Sequence, residues 1–206
     1  MVKIHKYCLP DIHLFEYQSN QYLTWIPTKT YIVLGASNNP EDSLHIENVK
    51  NDKIPVLKRP SGGQTVMLTP NNLVISAVFF DRKTTHPKEV FSEINNLIIS
   101  GLEELGMKNV HMKGISDIAI DDKKIAGSAI YRNKDGLLYH AVLNLGETST
   151  TFEKYLKHPT KEPDYRKGRS HSEFVTSLRE KGCLNSFSHI KNMVSLSLKS
   201  SFDINE

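Results

Sequence analysis

The stretch Lys58-Arg59-Pro60-Ser61-Gly62-Gly63-Gln64-Thr65-Val66 lies between two apolar runs, Ile54-Pro55-Val56-Leu57 and Leu73-Val74-Ile75-Ser76-Ala77-Val78-Phe79-Phe80. Short apolar runs bounded by turn residues read as buried strands. Two adjacent glycines between strands let the backbone approach a ligand closely and adopt dihedrals that other residues avoid. Their N–H groups, beside Lys58 and Arg59, suit a phosphate or a carboxylate. On its own such a pair is more often an ordinary turn or bulge, so the rest of the chain decides its meaning.

Upstream, Thr30-Tyr31-Ile32-Val33-Leu34-Gly35 is another buried-strand run closed by glycine, and Ser37-Asn38-Asn39-Pro40 is turn chemistry. Residues 44–49 are expected as a short helix, whereas 13–25 carry no clear period. Downstream, Pro87 suits a first helical position and Glu89 a first turn. Val90, Phe91, Ile94, Leu97, Ile98, Leu102 and Leu105 follow at helical steps, so one apolar face should cover a sheet. Gly106 is placed to end that helix. Strands are expected at 110–112, 118–120 and 125–132, with Asp121-Asp122 as a tight turn.

Asn133-Lys134-Asp135-Gly136 predicts a hairpin turn into 137–145. In that strand Leu137, Tyr139, Ala141, Leu143 and Leu145 form the better core face, which leaves His140 pointing away from the main core. Residues 153–169 are polar and basic, either a solvated loop or a mobile flap over an anionic ligand. A last amphipathic helix carries Ile190, Met193, Val194 and Leu198. Strands with few helices, joined partly by hairpins, predict an α+β fold of mixed, largely antiparallel sheets packed with helices, not a doubly wound parallel sheet.

The 206 residues are 38% hydrophobic and 24% charged, which suits one domain, 1–206, with a real core. Net charge is +3, and no basic run is interleaved with aromatics, so nucleic acid is not an expected partner. No segment approaches the ~18 apolar residues of a membrane span. The N-terminus lacks a signal-peptide core, and the expectation is a soluble cytoplasmic protein. Cys8 and Cys183 belong to no metal pattern, and no protein metal site is expected.

Two distant segments together carry a resemblance. Lys58-Arg59-Pro60-Ser61-Gly62-Gly63 resembles the Arg-Arg-x-Ser-Gly-Gly-Gly motif of lipoate–protein ligases. Asp117-Ile118-Ala119-Ile120-Asp121-Asp122-Lys123-Lys124-Ile125-Ala126-Gly127-Ser128-Ala129 resembles their second motif, Asn-Asp followed by Lys-Ile-x-Gly-x-Ala. His140-Ala141-Val142-Leu143 and Val175-Thr176-Ser177-Leu178 also have counterparts in order. The chain is thus identified as a member of the lipoate ligase/octanoyltransferase superfamily, related to biotin ligases. The resemblance implies the biotin/lipoate ligase-like catalytic fold without a C-terminal accessory domain.

It also implies a chemistry. Lipoate or octanoate is joined to AMP using ATP and Mg2+, and the acyl group then passes to a lysine of a lipoyl-acceptor domain. That acceptor would be a 2-oxoacid dehydrogenase E2 or a glycine cleavage H protein, and a separate accessory-domain protein is a further expected partner. Bringing a carboxylate against a charged α-phosphate needs cations and backbone donors. By resemblance, Lys124 is the catalytic residue, binding acyl carbonyl and phosphate, while its neighbour Lys123 faces the other way. Arg59, Ser61, Gly62, Gly63 and Gln64 are the implied binding residues of the loop. Gly127, Ser128 and Ala129 let a ligand lie against their strand, Asp117 sits near nucleotide or magnesium, and His140 completes the set.

The departures concern the mechanism. The family's third glycine and the following Ala-Val-Tyr-His-Asp are replaced here by Gln64-Thr65-Val66-Met67-Leu68-Thr69, closer to the octanoyltransferase form. Thioester-forming relatives place a cysteine near 111–114 or near 167–171, and neither window holds one. An adenylate route therefore stands ahead of covalent relay through a thiol. The alternatives are a cysteine-free transferase using a preactivated acyl donor and a lipoate-binding relative without turnover.

Overall fold

The computed structural model describes residues 2–202. A six-stranded sheet has the order β2-β6-β10-β9-β8-β7, formed by Gln21–Trp25 (β2), Asn72–Phe79 (β6), Leu137–Asn144 (β10), Lys123–Arg132 (β9), Asp117–Ile120 (β8) and Val110–Lys113 (β7). All its pairings are antiparallel. A four-stranded sheet has the order β1-β4-β3-β5, formed by Ile4–Lys6 (β1), Val56–Lys58 (β4), Tyr31–Leu34 (β3) and Val66–Leu68 (β5). Here β4 runs parallel to both β1 and β3, while β5 is antiparallel to β3. The fold is therefore the mixed α+β arrangement expected, with β1, β2 and β5 as strands that the sequence pattern does not reveal.

One face of the large sheet packs under two long helices. Pro87–Glu104 (α3) starts at His86, whose Nδ1 accepts from the Lys88 N–H, and Pro87 occupies the first turn as anticipated. Val90, Ile94, Ile98 and Leu102 of α3 meet Ile75, Phe79, Leu137, Tyr139 and Leu143 of the sheet. Ile190, Val194 and Leu198 of Phe187–Phe202 (α6) enter the same cluster. The odd-numbered residues of β10 are buried here, which is the face the alternation selects.

The small sheet covers much of the opposite face. Val33, Leu57 and Leu68 point inward and join Val74 of β6, with Val142 of β10 against them. Ile32, Leu34, Val56 and Met67 point outward. They are covered by Leu44, which pairs with Leu156 between two short helices, Pro40–Ser43 (α1) and Ile46–Asn51 (α2), and by Tyr155 of Ser149–Tyr155 (α4). Both faces of the small sheet are thus buried, which is why 31–34 and 54–57 read as unbroken apolar runs. The helix expected at 44–49 begins instead at Ile46 and runs to Asn51, because Leu44 is extended.

A 3-10 helix, Pro10–Tyr17, seals the remaining part of this face by packing Leu14 against Val78 and Leu138. Among the described residues, no helix is long and apolar enough to cross a membrane.

Candidate active site

A cavity of about 730 Å³ opens where the two sheets meet. Val33, Val66, Leu68, Val74 and Val142 supply an apolar part of its wall. Arg59, Gly63, Gln64, Asp117, Lys124, Gly127, Ser128, Ala129 and His140 also line it. Residues of both sequence motifs therefore share one space, although about sixty positions separate them along the chain.

The loop after β4 is tied down from two sides. Gly63 has φ +89°, in the left-handed region where a side chain is disfavoured. The backbone of Gly35 approaches it so closely that a Cβ on Gly35 would lie 2.0 Å from the Gly63 carbonyl oxygen. The Asn38 turn secures this contact: its Oδ1 accepts from Gly35 N–H at 3.0 Å and Thr65 Oγ1 at 3.2 Å, and its carbonyl accepts from Lys58 Nζ at 2.6 Å.

Arg59 holds the loop from inside. Its Nε donates to Ser61 Oγ at 2.9 Å, Nη1 to the Val33 carbonyl at 3.3 Å, and Nη2 to the Gly62 and Gln64 carbonyls at 2.8 and 2.9 Å. Burial pulls its guanidinium down to about 10. Expected from the motif as a holder of ligand oxygens, Arg59 lines the cavity and also gives these donors to the loop and to the Val33 carbonyl of β3, because burial demands partners for them. Ser61 is 1% exposed and lies behind the cavity wall, while Gly62 is exposed and also absent from the lining. Gly62 has open space around its Cα, so close approach is required at Gly63 rather than at both glycines.

The second motif depends on a β-bulge. Gly127 pairs with Asp117, and Lys124 pairs with Ala119, with the register shifting between Ile118 and Ala119. Without an inserted residue, positions three apart on a strand would face opposite sides. Here Ile125 and Ala126 both turn into the helix-side core, and Lys124 and Gly127 share the cavity side.

Lys124 Nζ then lies 2.8 Å from Asp117 Oδ1. It lies over the Gly127 backbone, where an added Cβ would come within 2.6 Å of the ammonium. The absence of a side chain at Gly127 thus makes room for the lysine itself. Lys123 points elsewhere, donating to the Ser172 carbonyl at 2.8 Å.

The basic segment after α4 forms a wall of the cavity while most of its residues also face solvent. Tyr165 donates to Asp117 Oδ2 at 2.7 Å, and burial followed by the Asp117 charge pushes its hydroxyl well above the usual phenol range. Arg166 is 4% exposed, with its guanidinium 4.7 Å from the Phe174 ring centroid. Its Nη2 has no partner among the described residues. His171, which opens the short helix His171–Phe174 (α5), also lines the cavity. Burial, then the Arg166 cation, pulls its imidazole down to about 4. The sequence marks this segment only by its charge. Tyr165 and His171 gain their places through packing.

His140, on the predicted non-core side of β10, is brought against the loop. Its Nε2 is 2.7 Å from Ser61 Oγ, and its Nδ1 is 3.4 Å from Asp11 Oδ2. Asp11 is fully buried and accepts from Tyr7 Oη at 2.7 Å. No pattern in the sequence connects Tyr7 or Asp11 to the site.

Comparison with known proteins agrees with this fold. Residues 4–196 match the family described as the lipoyl protein ligase A/B catalytic domain, and the chain belongs to that family. It is 26% identical to lipoate-protein ligase LplJ of Bacillus subtilis over 178 residues, covering 86% of this chain and 50% of that protein. It is 29% identical to lipoate-protein ligase A of Psychrobacter cryohalolentis over 151 residues, covering 69% of this chain and 40% of that protein. The chain thus spans about half, or less, of these curated relatives' length. The fold is similar to that of a bi-partite lipoate protein ligase from Thermoplasma acidophilum, at TM-score 0.79 and 18% identity, covering 94% of this chain and 76% of that one. A lipoate-protein ligase A bound with ATP superposes at TM-score 0.75 and 18% identity, covering 94% and 78% of the two chains.

Proposed function

We propose that this domain carries the chemistry of a lipoate–protein ligase. It joins lipoate or octanoate to AMP and passes the acyl group to a lysine of a lipoyl-acceptor domain. The observation that carries this reading is the placement of the Lys124 ammonium in the same cavity as the glycine loop and an apolar wall. That combination suits an acyl chain ending in a carboxylate beside a phosphate. The valines and Leu68 would bury the chain, at ~0.8 kcal/mol per methylene. In the first step a carboxylate oxygen bonds to the α-phosphorus of ATP and pyrophosphate leaves. In the second, the acceptor amine bonds to the acyl carbon, the bond to AMP breaks and the amine proton is released.

Lys124 would neutralise charge in both steps, and Asp117 would hold and orient it. Loop backbone from Gly63 and Gln64 and the small floor at Gly127, Ser128 and Ala129 would admit the ligand. Ser61, Gly62, Arg59 and His140 would act by shaping that loop. Mg2+ fits as a companion of the nucleotide: Asp117 is one carboxylate at the site, and magnesium commonly combines one or two carboxylates with phosphate oxygens. It would supply charge neutralisation on those phosphates. The acceptor would be an E2 or H-protein lipoyl domain. The likeness to a bi-partite ligase favours including a separate accessory polypeptide in the reaction.

The test is a mass measurement on a lipoyl-acceptor domain incubated with this protein, lipoate and Mg2+, with and without ATP. The expected result is an ATP-dependent mass gain, with the accessory polypeptide present if the domain alone is inactive. Gain only from supplied acyl-AMP or acyl carrier protein would instead identify a cysteine-free transferase. Neither Cys8 nor Cys183 lines the cavity, so gain through a cysteine thioester is not expected. Lipoate binding with no gain in any mixture would reject catalysis.

A further inference from the structure

The deepest polar structure near the cavity is a chain of contacts crossing from the N-terminal segment to the glycine loop. Asp11 is 0% exposed, Ser61 1% and Arg59 5%. Between Asp11 and Ser61 stands His140, whose two ring nitrogens face the two residues at 3.4 and 2.7 Å. Arg59 Nε donates to Ser61 Oγ at 2.9 Å. Two buried opposite charges are therefore joined through a serine and a histidine.

The partners assign the proton positions. Ser61 Oγ receives the Arg59 N–H, so its own O–H is free to donate to His140 Nε2. With one proton on the ring, that proton then sits on Nδ1, directed at Asp11. The opposite tautomer would set the Nδ1 lone pair against a carboxylate that already accepts from Tyr7. Donation thus runs from Arg59 to Ser61 to His140 to Asp11, and each of these polar contacts is satisfied in one direction.

We infer that Asp11 is a positioning residue for the glycine loop, acting through His140 and Ser61 on Arg59. Arg59 in turn ties the Gly62 and Gln64 carbonyls together, and so fixes the backbone that lines the cavity. The resemblance of this set to a Ser-His-Asp nucleophile does not extend to its role. Ser61 is covered, it accepts a hydrogen bond from a cation, and it is not part of the cavity lining.

The kinetic part of this inference rests on the proposed acyl transfer, but its geometric part does not. The experiment therefore has two readouts on wild type, Asp11→Asn and Asp11→Ala. The first is the ¹⁵N shifts of the His140 ring. Wild type is expected to show Nδ1 protonated and Nε2 bare, a state retained with asparagine, whose side-chain oxygen still accepts, and lost with alanine. The second is steady-state acyl transfer below each variant's melting temperature.

Alanine is expected to lower kcat/KM by about tenfold or more, chiefly in kcat, with asparagine recovering most of it, since loop misplacement costs rate at the reacting atoms. An Nε2-protonated His140 in wild type would overturn the relay whatever the activity. A folded Asp11→Ala protein with wild-type kcat/KM would overturn the positioning role, as would an acyl ester on Ser61 after a pulse of acyl-AMP. Should wild type transfer nothing in any mixture, the proposed function fails while the imidazole shifts still decide the relay. If Asp11→Ala does not fold, Tyr7→Phe removes the outer hydrogen bond and one hydroxyl from the cavity wall, so the His140 ring shifts are read beside its kinetics. It should then give a smaller fall in kcat, and an unchanged kcat would count against the inference.

Discussion

The two faces of the six-stranded sheet are made by the same strands, yet they are used differently. On the helix side, alternate residues of β6 and β10 interlock with α3 and α6, as at Ile75, Leu143, Ile98 and Val194, and all are essentially sealed from solvent. On the other side, the same strands present Val74, His140 and Val142, the neighbouring β9 presents Gly127 and Ala129, and the partner sheet stands off far enough to leave a cavity. The first face gains stability from close packing. The second gives up some of that burial to hold a lysine, a carboxylate and a bent loop in one space. Residues of one sheet therefore belong to two energetic regimes, and substitutions should separate them.

The largest effect is expected at Lys124. Lys124→Ala should lower acyl transfer by at least ~10²–10³-fold, as for loss of a positioned donor to developing charge. Its melting temperature should stay close to wild type, because the side chain is 28% exposed. Parallel turnover and calorimetric scans would check this, and wild-type turnover would break the functional reading of this face. Ile98→Ala should behave in the opposite way. Ile98 is fully buried under α3. Its truncation should cost about 2–5 kcal/mol in urea unfolding, with specific activity unchanged in folded protein.

A subtler separation is available at Gly127. An added methyl meets the flexible end of Lys124, not backbone, at 2.6 Å. Gly127→Ala should therefore displace the ammonium and cost about ten- to a hundredfold in rate, with little change in stability. If the loss appeared in stability instead, the glycine would be serving the strand and not the lysine.

The smallest effect concerns pH. His171 falls from 6.5 to about 4 in the folded protein, mainly through burial and then through Arg166. Glu153 opposes that shift, while His158 and His45 reinforce it. Between those two values the unfolded chain binds the proton and the folded chain resists it. Stability from neutral His171 is therefore present above about pH 6.5 and lost as pH falls toward about 4. His171→Asn should flatten that part of the stability–pH curve, measured by denaturant unfolding at several pH values.

Several elements were legible in the sequence because their cause is local. The stop and start of α3 follow from Pro87 and Gly106, and its stripe from helical spacing. The hairpin at Asn133 follows from a side chain that accepts from the Asp135 and Gly136 N–H groups, both within three positions. The core face of β10 follows from strict alternation. The absence of clear period over 13–25 follows from mixed duties, since part of it is a 3-10 helix and part an edge strand.

The sequence by itself determined the mixed α+β class, the apolar faces of α3 and β10, and the two motifs that place the chain in its family. Each depends on residue type and short-range period. Only the tertiary structure decided which motif residues reach the cavity. The bulge beside Ile125 turns Lys124 and Gly127 to one side, where simple alternation would part them. The burial of Arg59 puts it at the centre of its own loop as well as at the cavity. Asp11 joins the site across more than a hundred residues, through His140. These outcomes depend on strand register and on the need to satisfy buried charge, and both are set by contacts between distant segments.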